Sequence, residues 1–359
     1  MTGAAPVGLL RELVELESPT GSDGVRSVAE RMAHELAALG GEIELYDGFH
    51  VRAEFAGEDA PLLLLGHTDT VWPLGTLASM PFRVDGARAH GPGVYDMKAG
   101  LVVLLEAIRH ASGQRRALRV FLTADEEMGS RTGRPLLEQA AEGAAAAFVV
   151  EPPTKEGHLK TARKGLGRFR VTVAGRPAHA GNDREQGASA IEELAHQVLA
   201  LHALNDDDRG VSVNVGVVAG GTSENVVAAR AEAQVDVRVA RSDDRERLER
   251  ALASLRPRLD GTSLELSGGW TRPPLEPSPE SARLFAKARE HGLALGLDLR
   301  EASSGGGSDG NLVAAVGVPV LDGLGAEGGG AHAPNKHVVL DSLPVRAELL
   351  ARLIADPGL

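Results

Sequence analysis

The sequence predicts an α/β fold with a mixed, mostly parallel sheet and helices on both faces, into which a ferredoxin-like α+β domain is inserted. In residues 1–164 and 270–359, short apolar runs alternate with helical segments, which is typical of a sheet enclosed by helices. In residues 165–269, apolar and polar residues alternate with a period of two, which is typical of antiparallel strands with one buried face. The change of pattern and its reversal predict two domains, the smaller one inserted into the larger.

Two amphipathic helices open the chain, and Ser22 is placed to cap the second. The apolar residues that share one face of that helix are Val25, Val28, Met32, Leu36 and Leu39. Apolar runs at 62–65, 118–122 and 148–150 then predict buried strands separated by helical segments. Functional residues of open α/β sheets gather where such strands end. The residues that follow these runs are therefore the first candidates for a site.

The inserted region has the order strand, helix, strand, strand, helix, strand, which is the split pattern of a ferredoxin-like domain. Its alternating runs begin at Phe169, Val211 and Ala233, and a last short strand is expected at 264–266. From about Pro274 the α/β pattern returns. This order leaves a sheet edge and a helix face available for pairing with a second copy of the domain.

The composition argues against several classes of protein. The 359 residues carry a formal charge of -12 and no long basic run, so nucleic acid is not an expected partner. Charged residues interrupt the first helix and the apolar runs are too short to span a bilayer, so we expect no signal peptide, no membrane partner and a cytoplasmic location. Because cysteine is absent, a metal ion would have to be held by histidine, aspartate or glutamate.

The predicted strand at 62–65 is followed by Gly66-His67-Thr68-Asp69. His67 and Asp69 are two residues apart, so in an extended strand end they point the same way. This spacing suits an imidazole that binds a metal ion and a carboxylate that orients its other nitrogen. A strand end capped by polar side chains explains this segment equally well.

Two further acidic segments are ambiguous when each is taken alone. Asp96 lies at the start of a predicted helix, where its commoner role would be to cap that helix. Asp125, Glu126 and Glu127 directly follow a buried strand. Such acidic turns are often only solvated, but three adjacent carboxylates at a strand end repel one another unless a cation or a proton offsets them.

Two more segments complete the pattern. Glu151 follows the run at 148–150, and His332 lies in a glycine-rich loop near the end of the chain. Carboxylates and imidazoles without cysteine suit zinc with an open coordination position, and a carboxylate shared between two sets of ligands allows two metal ions.

The order of these residues resembles the M20 family of metallopeptidases, and within it the glutamate carboxypeptidases of the carboxypeptidase G2 type. The resemblance covers nearly the whole chain and implies the zinc-exopeptidase type of sheet with an inserted dimerisation domain. The motifs that carry it, besides the acidic and histidine segments, are Leu13-Val14-Glu15-Leu16-Glu17-Ser18-Pro19, Pro81-Phe82-Arg83-Val84, Gly175-Arg176-Pro177-Ala178-His179-Ala180-Gly181 and Gly305-Gly306-Gly307-Ser308-Asp309.

The resemblance implies two Zn²⁺ ions per chain, with Co²⁺ or Mn²⁺ as possible substitutes. His67 and Glu151 match the ligands of one ion, and Glu127 and His332 match those of the other. Asp96 matches the carboxylate that bridges both ions. The peptide bond between residues 96 and 97 is expected to be cis, because the matching bond in the family turns the bridging acid inward.

The resemblance also implies catalytic roles. Asp69 matches the residue that orients the metal-binding His67, and Glu126 matches the general base. A histidine in a turn, such as His179, is more often a surface residue, but it matches the family's oxyanion-stabilising histidine, which reaches across a dimer interface into the partner's site. A homodimer is therefore expected.

Residues that would bind substrate are expected in the inserted domain and in the late glycine-rich loop. Arg272 resembles an arginine that binds the terminal carboxylate of the substrate, and Asn225 resembles a second contact. Arg238 is a further candidate, although an arginine in an alternating strand is usually only solvated. The backbone of Gly306, Gly307 and Ser308 could cradle a carboxylate, or the loop could be a flexible turn; it lacks the lysine and spacing of a phosphate loop.

The sequence departs from the family pattern at Lys336, where members often carry an acid after the metal-binding histidine. The resemblance implies a carboxypeptidase that acts on a small peptide or N-acyl amino acid and releases a C-terminal amino acid, with glutamate favoured. An N-acyl-amino-acid deacylase has the same metal residues. A homologue that binds metal without catalysis is disfavoured, because Glu126 and His179 are present.

Overall fold

The computed structural model describes residues 4–111, 116–356 and 358. These residues form two compact units. The larger unit contains the residues up to Ala162, Glu276–Ser304 and the residues from Ser308 onward. The smaller unit contains Arg163–Leu275 and Gly305–Gly307.

The secondary structure alternates between strands and helices in both units. The strands are β1 (Glu42–Leu45), β2 (Val51–Phe55), β3 (Glu58–His67), β4 (Arg83–Asp85), β5 (Arg88–His90), β6 (Arg116–Thr123), β7 (Ala146–Val149), β8 (Leu159–Arg163), β9 (Gly165–Ala174), β10 (Ser212–Gly220), β11 (Arg230–Val239), β12 (Ser263–Arg272), β13 (Glu301–Ser304), β14 (Val320–Asp322), β15 (Gly328–Gly329) and β16 (His337–Val339). The helices are α1 (Ala4–Glu15), α2 (Asp23–Ala38), α3 (Thr76–Ser79), α4 (Ala99–His110), α5 (Gly133–Ala141), α6 (Ala190–His202), α7 (Ser242–Ala253), α8 (Pro279–Ala294), α9 (Asp309–Ala315) and α10 (Ser342–Ala355).

The larger unit is built on an eight-stranded sheet with the order β1-β2-β6-β3-β7-β14-β8-β13. Its central strands β6, β3, β7 and β14 are parallel, and antiparallel strands flank them. Residues 62–65 of β3 are all buried although successive side chains point to opposite faces, so both faces of this strand are covered. The predicted α/β fold class is confirmed.

A second, small sheet in the larger unit was not expected from the sequence. Its order is β15-β16-β5-β4, and its paired strands are antiparallel. The loop that carries His332 connects β15 to β16. This sheet therefore fixes both ends of that loop.

The smaller unit has the predicted order of strands and helices. Its four-stranded antiparallel sheet has the order β10-β11-β9-β12, with α6 following β9 and α7 following β11. The core lies between the sheet and the two helices and includes Val171, Val235, Leu194 of α6 and Leu248 of α7. In this arrangement β10 is an edge strand.

Helix α2 illustrates a detail that the sequence predicted only in part. Val25, Val28, Met32 and Leu36 are buried on its inner face, as predicted. Ser22 occupies the N-cap position, but its hydroxyl makes no capping hydrogen bond and has no partner among the described residues. None of the helices within residues 4–111, 116–356 and 358 has the length and apolar composition needed to cross a membrane.

Candidate active site

Three segments with acidic or histidine side chains follow neighbouring parallel strands. β3 ends at His67, β6 is followed by residues 124–127, and β7 is followed by Glu151. Because β3 is parallel to both β6 and β7, the carboxyl ends of the three strands lie at one edge of the sheet. The sheet thus brings together residues that are far apart in the sequence.

A first group of possible metal ligands is buried at this edge. Nε2 of His67 lies 3.3 Å from Oδ1 of Asp96 and 3.6 Å from Oε1 of Glu151. His67 is only 2% exposed and Glu151 only 7%. One ligand atom from each of these residues lies within 4.8 Å of the others, so the three could hold a single ion.

A second group shares Asp96 with the first. Nε2 of His332 lies 3.4 Å from Oδ2 of Asp96 and 3.4 Å from Oε2 of Glu127. The two carboxylate oxygens of Asp96 therefore face different histidines. The Asp96–Met97 peptide bond is cis, as predicted. Asp96 does not cap α4, because the N-cap position of that helix is occupied by Lys98.

The charges and the unsatisfied atoms of these groups fit divalent metal ions. Although burial opposes it, hydrogen bonds with His332 and His67 hold the pKa of Asp96 below its usual value. Hydrogen bonds with Asp96 and Glu127 raise the pKa of His332 to about 10. Oε1 of Glu127 is buried without a hydrogen-bond partner among the described residues. The carboxylates of these groups attract a positive charge. Together with the imidazoles they form a donor set that zinc and similar cations use.

Asp69 connects His67 to the acidic turn. Its backbone oxygen lies 2.9 Å from Nδ1 of His67, and its Oδ1 lies 3.3 Å from the same nitrogen. A proton on Nδ1 leaves the lone pair of Nε2 for a metal ion. The two oxygens of Asp69 also accept hydrogen bonds from the backbone N–H groups of Glu126 and Glu127, at 3.1 and 3.2 Å.

Glu126 lies in a short 3-10 turn at Glu126–Met128, and neither group of possible ligands within the described part of the chain includes it. The turn is held on both sides by Asp309, which accepts hydrogen bonds from the hydroxyls of Thr123 (2.5 Å) and Ser130. Asp309 follows the glycine-rich loop whose backbone is expected to cradle a carboxylate or to form a flexible turn. Its side chain supports the acidic turn through these two hydrogen bonds.

Thr20 also contacts Asp69, although no pattern in the sequence points to it. Its hydroxyl donates to Oδ2 of Asp69 at 2.6 Å. A threonine in a loop has no distinctive pattern, so only the tertiary structure identifies this contact.

Two of the remaining candidates lie close together in the smaller unit. His179 and Asn225 are both exposed, and the backbone N–H of Ala180 donates to the carbonyl oxygen of Asn225 at 2.9 Å. Nδ1 of His179 accepts hydrogen bonds from the backbone N–H groups of Gly181 (3.2 Å) and Asn182 (3.1 Å). In its neutral form this ring therefore carries its proton on Nε2, which makes Nε2 a hydrogen-bond donor.

Arginines of the smaller unit hold the Gly305–Gly307 loop. Arg238 donates to the carbonyl oxygen of Gly305 at 2.6 Å and also pairs with Asp236 at 2.8 Å. Arg163, which no sequence motif indicates, donates to the carbonyl oxygens of Gly306 (3.3 Å) and Gly307 (3.1 Å). The loop therefore has defined side-chain contacts.

Arg272 and Gly307 pack closely in the same unit. Arg272 is buried, and a Cβ atom added at Gly307 would lie 2.7 Å from its Cδ and 2.5 Å from Cδ1 of Leu166. A larger residue at this position would therefore force the side chain of Leu166 or Arg272 to move. Ser308 belongs to the larger unit, where its buried hydroxyl caps α9 and donates to Asp322 at 2.6 Å. The Ser308 hydroxyl therefore has a structural role at the start of α9.

Comparison with known proteins identifies the family. The sequence profile described as Peptidase family M20/M25/M40 matches residues 63–356. The chain belongs to the M20 family. As an M20 protein it is a metallohydrolase of the peptidase and amidohydrolase type, in agreement with the sequence resemblance.

Three known proteins illustrate the range of the M20 family around this chain. Carboxypeptidase G2 from Pseudomonas sp. (strain RS-16) is 30% identical over 377 residues, which cover 99% of this chain and 89% of the relative. Acetylornithine deacetylase from Myxococcus xanthus is 32% identical over 214 residues, covering 56% and 55%. The crystal structure of YXEP from Bacillus subtilis, a dinuclear metal-binding M20 peptidase, has a TM-score of 0.72 at 18% identity and covers 98% of this chain and 97% of that one.

Proposed function

We propose that this M20 enzyme hydrolyses a peptide or amide bond next to a free carboxylate and releases a C-terminal amino acid, with glutamate favoured. The observation that carries the proposal is the shared carboxylate of Asp96, whose two oxygens face His67 and His332. This arrangement supports two Zn²⁺ ions per chain, with Asp96 available to both groups of ligands. The resemblance to carboxypeptidase G2 over nearly the whole chain supports the choice of substrate.

His67, Glu151 and Asp96 would hold one ion, and Asp96, Glu127 and His332 the other. Bound ions would lower the pKa of a water molecule and polarise the scissile carbonyl. Glu126 is the general base: its carboxylate takes the proton of the attacking water and returns it to the nitrogen of the leaving amine. Asp69 keeps this base in place because its carboxylate accepts a hydrogen bond from the backbone N–H group of Glu126.

Recognition of substrate is assigned to the smaller unit. The Nε2–H group of His179 would donate to the developing oxyanion, since its Nδ1 is already occupied by backbone donors. Arg272 would bind the terminal carboxylate, for which the planar guanidinium is suited. The further proposed contacts are Asn225, Arg238 and the backbone of Gly306, Gly307 and Ser308.

An N-acyl-amino-acid deacylase is the second candidate, because acetylornithine deacetylase is also a relative. The two functions can be distinguished by whether glutamate or acetate is released faster. Purified, zinc-loaded enzyme should release glutamate from N-acyl-glutamates and short peptides faster than it releases acetate from N-acetyl-amino acids. Faster release of acetate would favour the deacylase. Release of neither product by metal-loaded protein would contradict both candidate substrates. A cytoplasmic location stays a prediction.

We also propose that residues 165–269 form a dimerisation domain. Strand β10 is at the edge of its sheet, and its neighbour α6 exposes apolar side chains next to it. Leu199 of α6 is 71% exposed and Val218 of β10 is 58% exposed. An unpaired edge beside an apolar helix face is the kind of surface that an isologous dimer covers.

The dimer proposal predicts complementation between two inactive chains. His179→Ala removes the oxyanion donor and Glu126→Gln removes the base. If His179 acts in the partner's site, one site of each mixed dimer has both groups, so random mixing should restore about a quarter of wild-type activity. Activity is measured after mixed dimers have been verified by differential tagging. No recovery in verified mixed dimers, or full activity of a monomer in sedimentation, would mean that each chain works alone.

A further inference from the structure

Lys336 is a buried lysine without an acidic partner. It is only 3% exposed, and no carboxylate among the described residues pairs with it. Its ammonium lies 3.0 Å from the centroid of the Trp72 ring. It also lies 3.4 Å from the carbonyl oxygen of Ala333 and 3.4 Å from Sδ of Met80. The aromatic face and one carbonyl oxygen therefore replace the water that a surface lysine would have.

The two ends of this contact lie in different ligand-bearing segments. Trp72 follows His67 and Asp69 on the segment after β3, which is anchored by the hydrogen bond from Thr70 N–H to the carbonyl oxygen of Ser18 at 2.8 Å. Lys336 follows His332 on the loop between β15 and β16. The contact thus joins the segment of the first metal group to the loop of the second.

The loop needs such support because of the conformation of His332. This residue has a φ of 58°, in the left-handed region that side chains other than glycine rarely adopt. Its side chain is about half exposed, so packing around the imidazole holds it only partly. Lys336 crosses the turn to the carbonyl of Ala333, the residue next to His332. The face of an aromatic ring attracts a cation and repels a carboxylate, so Lys336 suits this position better than an acid would.

We propose that Lys336 and Trp72 form a clamp that positions His332 for the second metal ion. They are positioning residues, which act through His332 and do not touch the substrate. This inference rests on the proposed two-metal function. It goes beyond that function because the affinity for one of the two ions would depend on the Lys336–Trp72 contact, which lies outside the ligands.

The clamp predicts a selective loss of metal affinity. Zn²⁺ is titrated into the apoprotein in competition with a chelating indicator, and a His332→Ala variant identifies which binding step belongs to the second group. Lys336→Met, which keeps the length and removes the charge, should weaken that step roughly tenfold, as loss of a residue supporting a ligand does, and leave the other step unchanged. Lys155→Met is the matched control, since Lys155 is exposed in the same unit.

Companion variants test the ring. Trp72→Leu should weaken the same step as Lys336→Met, and the double variant should be no weaker than either single one. Lys336→Arg keeps a cation over the ring and should restore most of the affinity, and Trp72→Phe should give a smaller loss than Trp72→Leu. Melting temperatures of the apoproteins are measured alongside.

The outcomes separate this inference from the proposed function. If the wild-type protein binds fewer than two ions, the two-metal proposal fails and the clamp fails with it. If the wild type binds two ions and Lys336→Met behaves like Lys155→Met, only the clamp is overturned. Equal weakening of both steps, or additive losses in the double variant, would show general destabilisation and would also overturn it.

Discussion

The two groups of metal ligands share one carboxylate but are supported differently. His67 and Glu151 are buried at the ends of two adjacent parallel strands. Glu127 lies in a short turn, and His332 lies in a loop and is about half exposed. Sheet hydrogen bonds and burial fix the first group, whereas the second depends on contacts between loops. We therefore expect the first group to be preformed and the second to be the weaker and more adjustable one.

The largest expected effect is the loss of the residue that the groups share. Asp96→Ala should abolish binding of both ions and lower kcat/KM by about 10³-fold or more, because several kcal/mol of charge stabilisation are lost. Metal content by elemental analysis and steady-state kinetics measure this. Asp85→Ala, at an exposed position of the same unit, is the control. Retention of both ions in Asp96→Ala would mean that the two groups are not linked through this residue.

The next largest effect concerns a residue that belongs to neither group. Glu126→Gln keeps the size of the side chain and removes the base, so kcat should fall by roughly 10²-fold or more while both ions remain bound. Kinetics and metal analysis on the same preparation give the answer. If the variant loses an ion, Glu126 is a ligand, and if kcat is unchanged, it is not the base.

The smallest effect tests the difference in support directly. On addition of excess chelator, release of the two ions should be biphasic, with the second group about tenfold faster because its loop opens more easily than a strand end. His332→Ala should remove the fast phase and Glu151→Ala the slow phase. Stopped-flow absorbance of the chelator follows both. A single phase, or the reverse assignment, would contradict the comparison.

The same difference determines how much the sequence could predict. His67, Glu126 and Glu151 follow apolar runs, so local periodicity predicts that they lie at strand ends and parallel pairing brings them together. The order of the smaller unit also follows from local alternation. These are features that depend on neighbouring residues in the chain.

Contacts between distant segments were not predictable in this way. The hydrogen bond between Thr123 and Asp309 joins residues 186 positions apart, and no pattern of either segment indicates it. Thr20 and Arg163 were missed for the same reason, and the small sheet around β16 was missed because its strands have only two or three residues. The hydroxyl of Ser308, which caps α9, is another such case, because the sequence drew attention only to the backbone of its loop.

The position of Asp69 has a consequence for engineering the enzyme. Its carboxylate accepts hydrogen bonds from the backbone N–H groups of Glu126, the proposed base, and Glu127, a proposed ligand of the second group. It also contacts His67 of the first group. A substitution at Asp69 would therefore change base strength, base position and metal preference together. A designer who wishes to exchange the metal without altering proton transfer should leave Asp69 in place and vary the loop between β15 and β16.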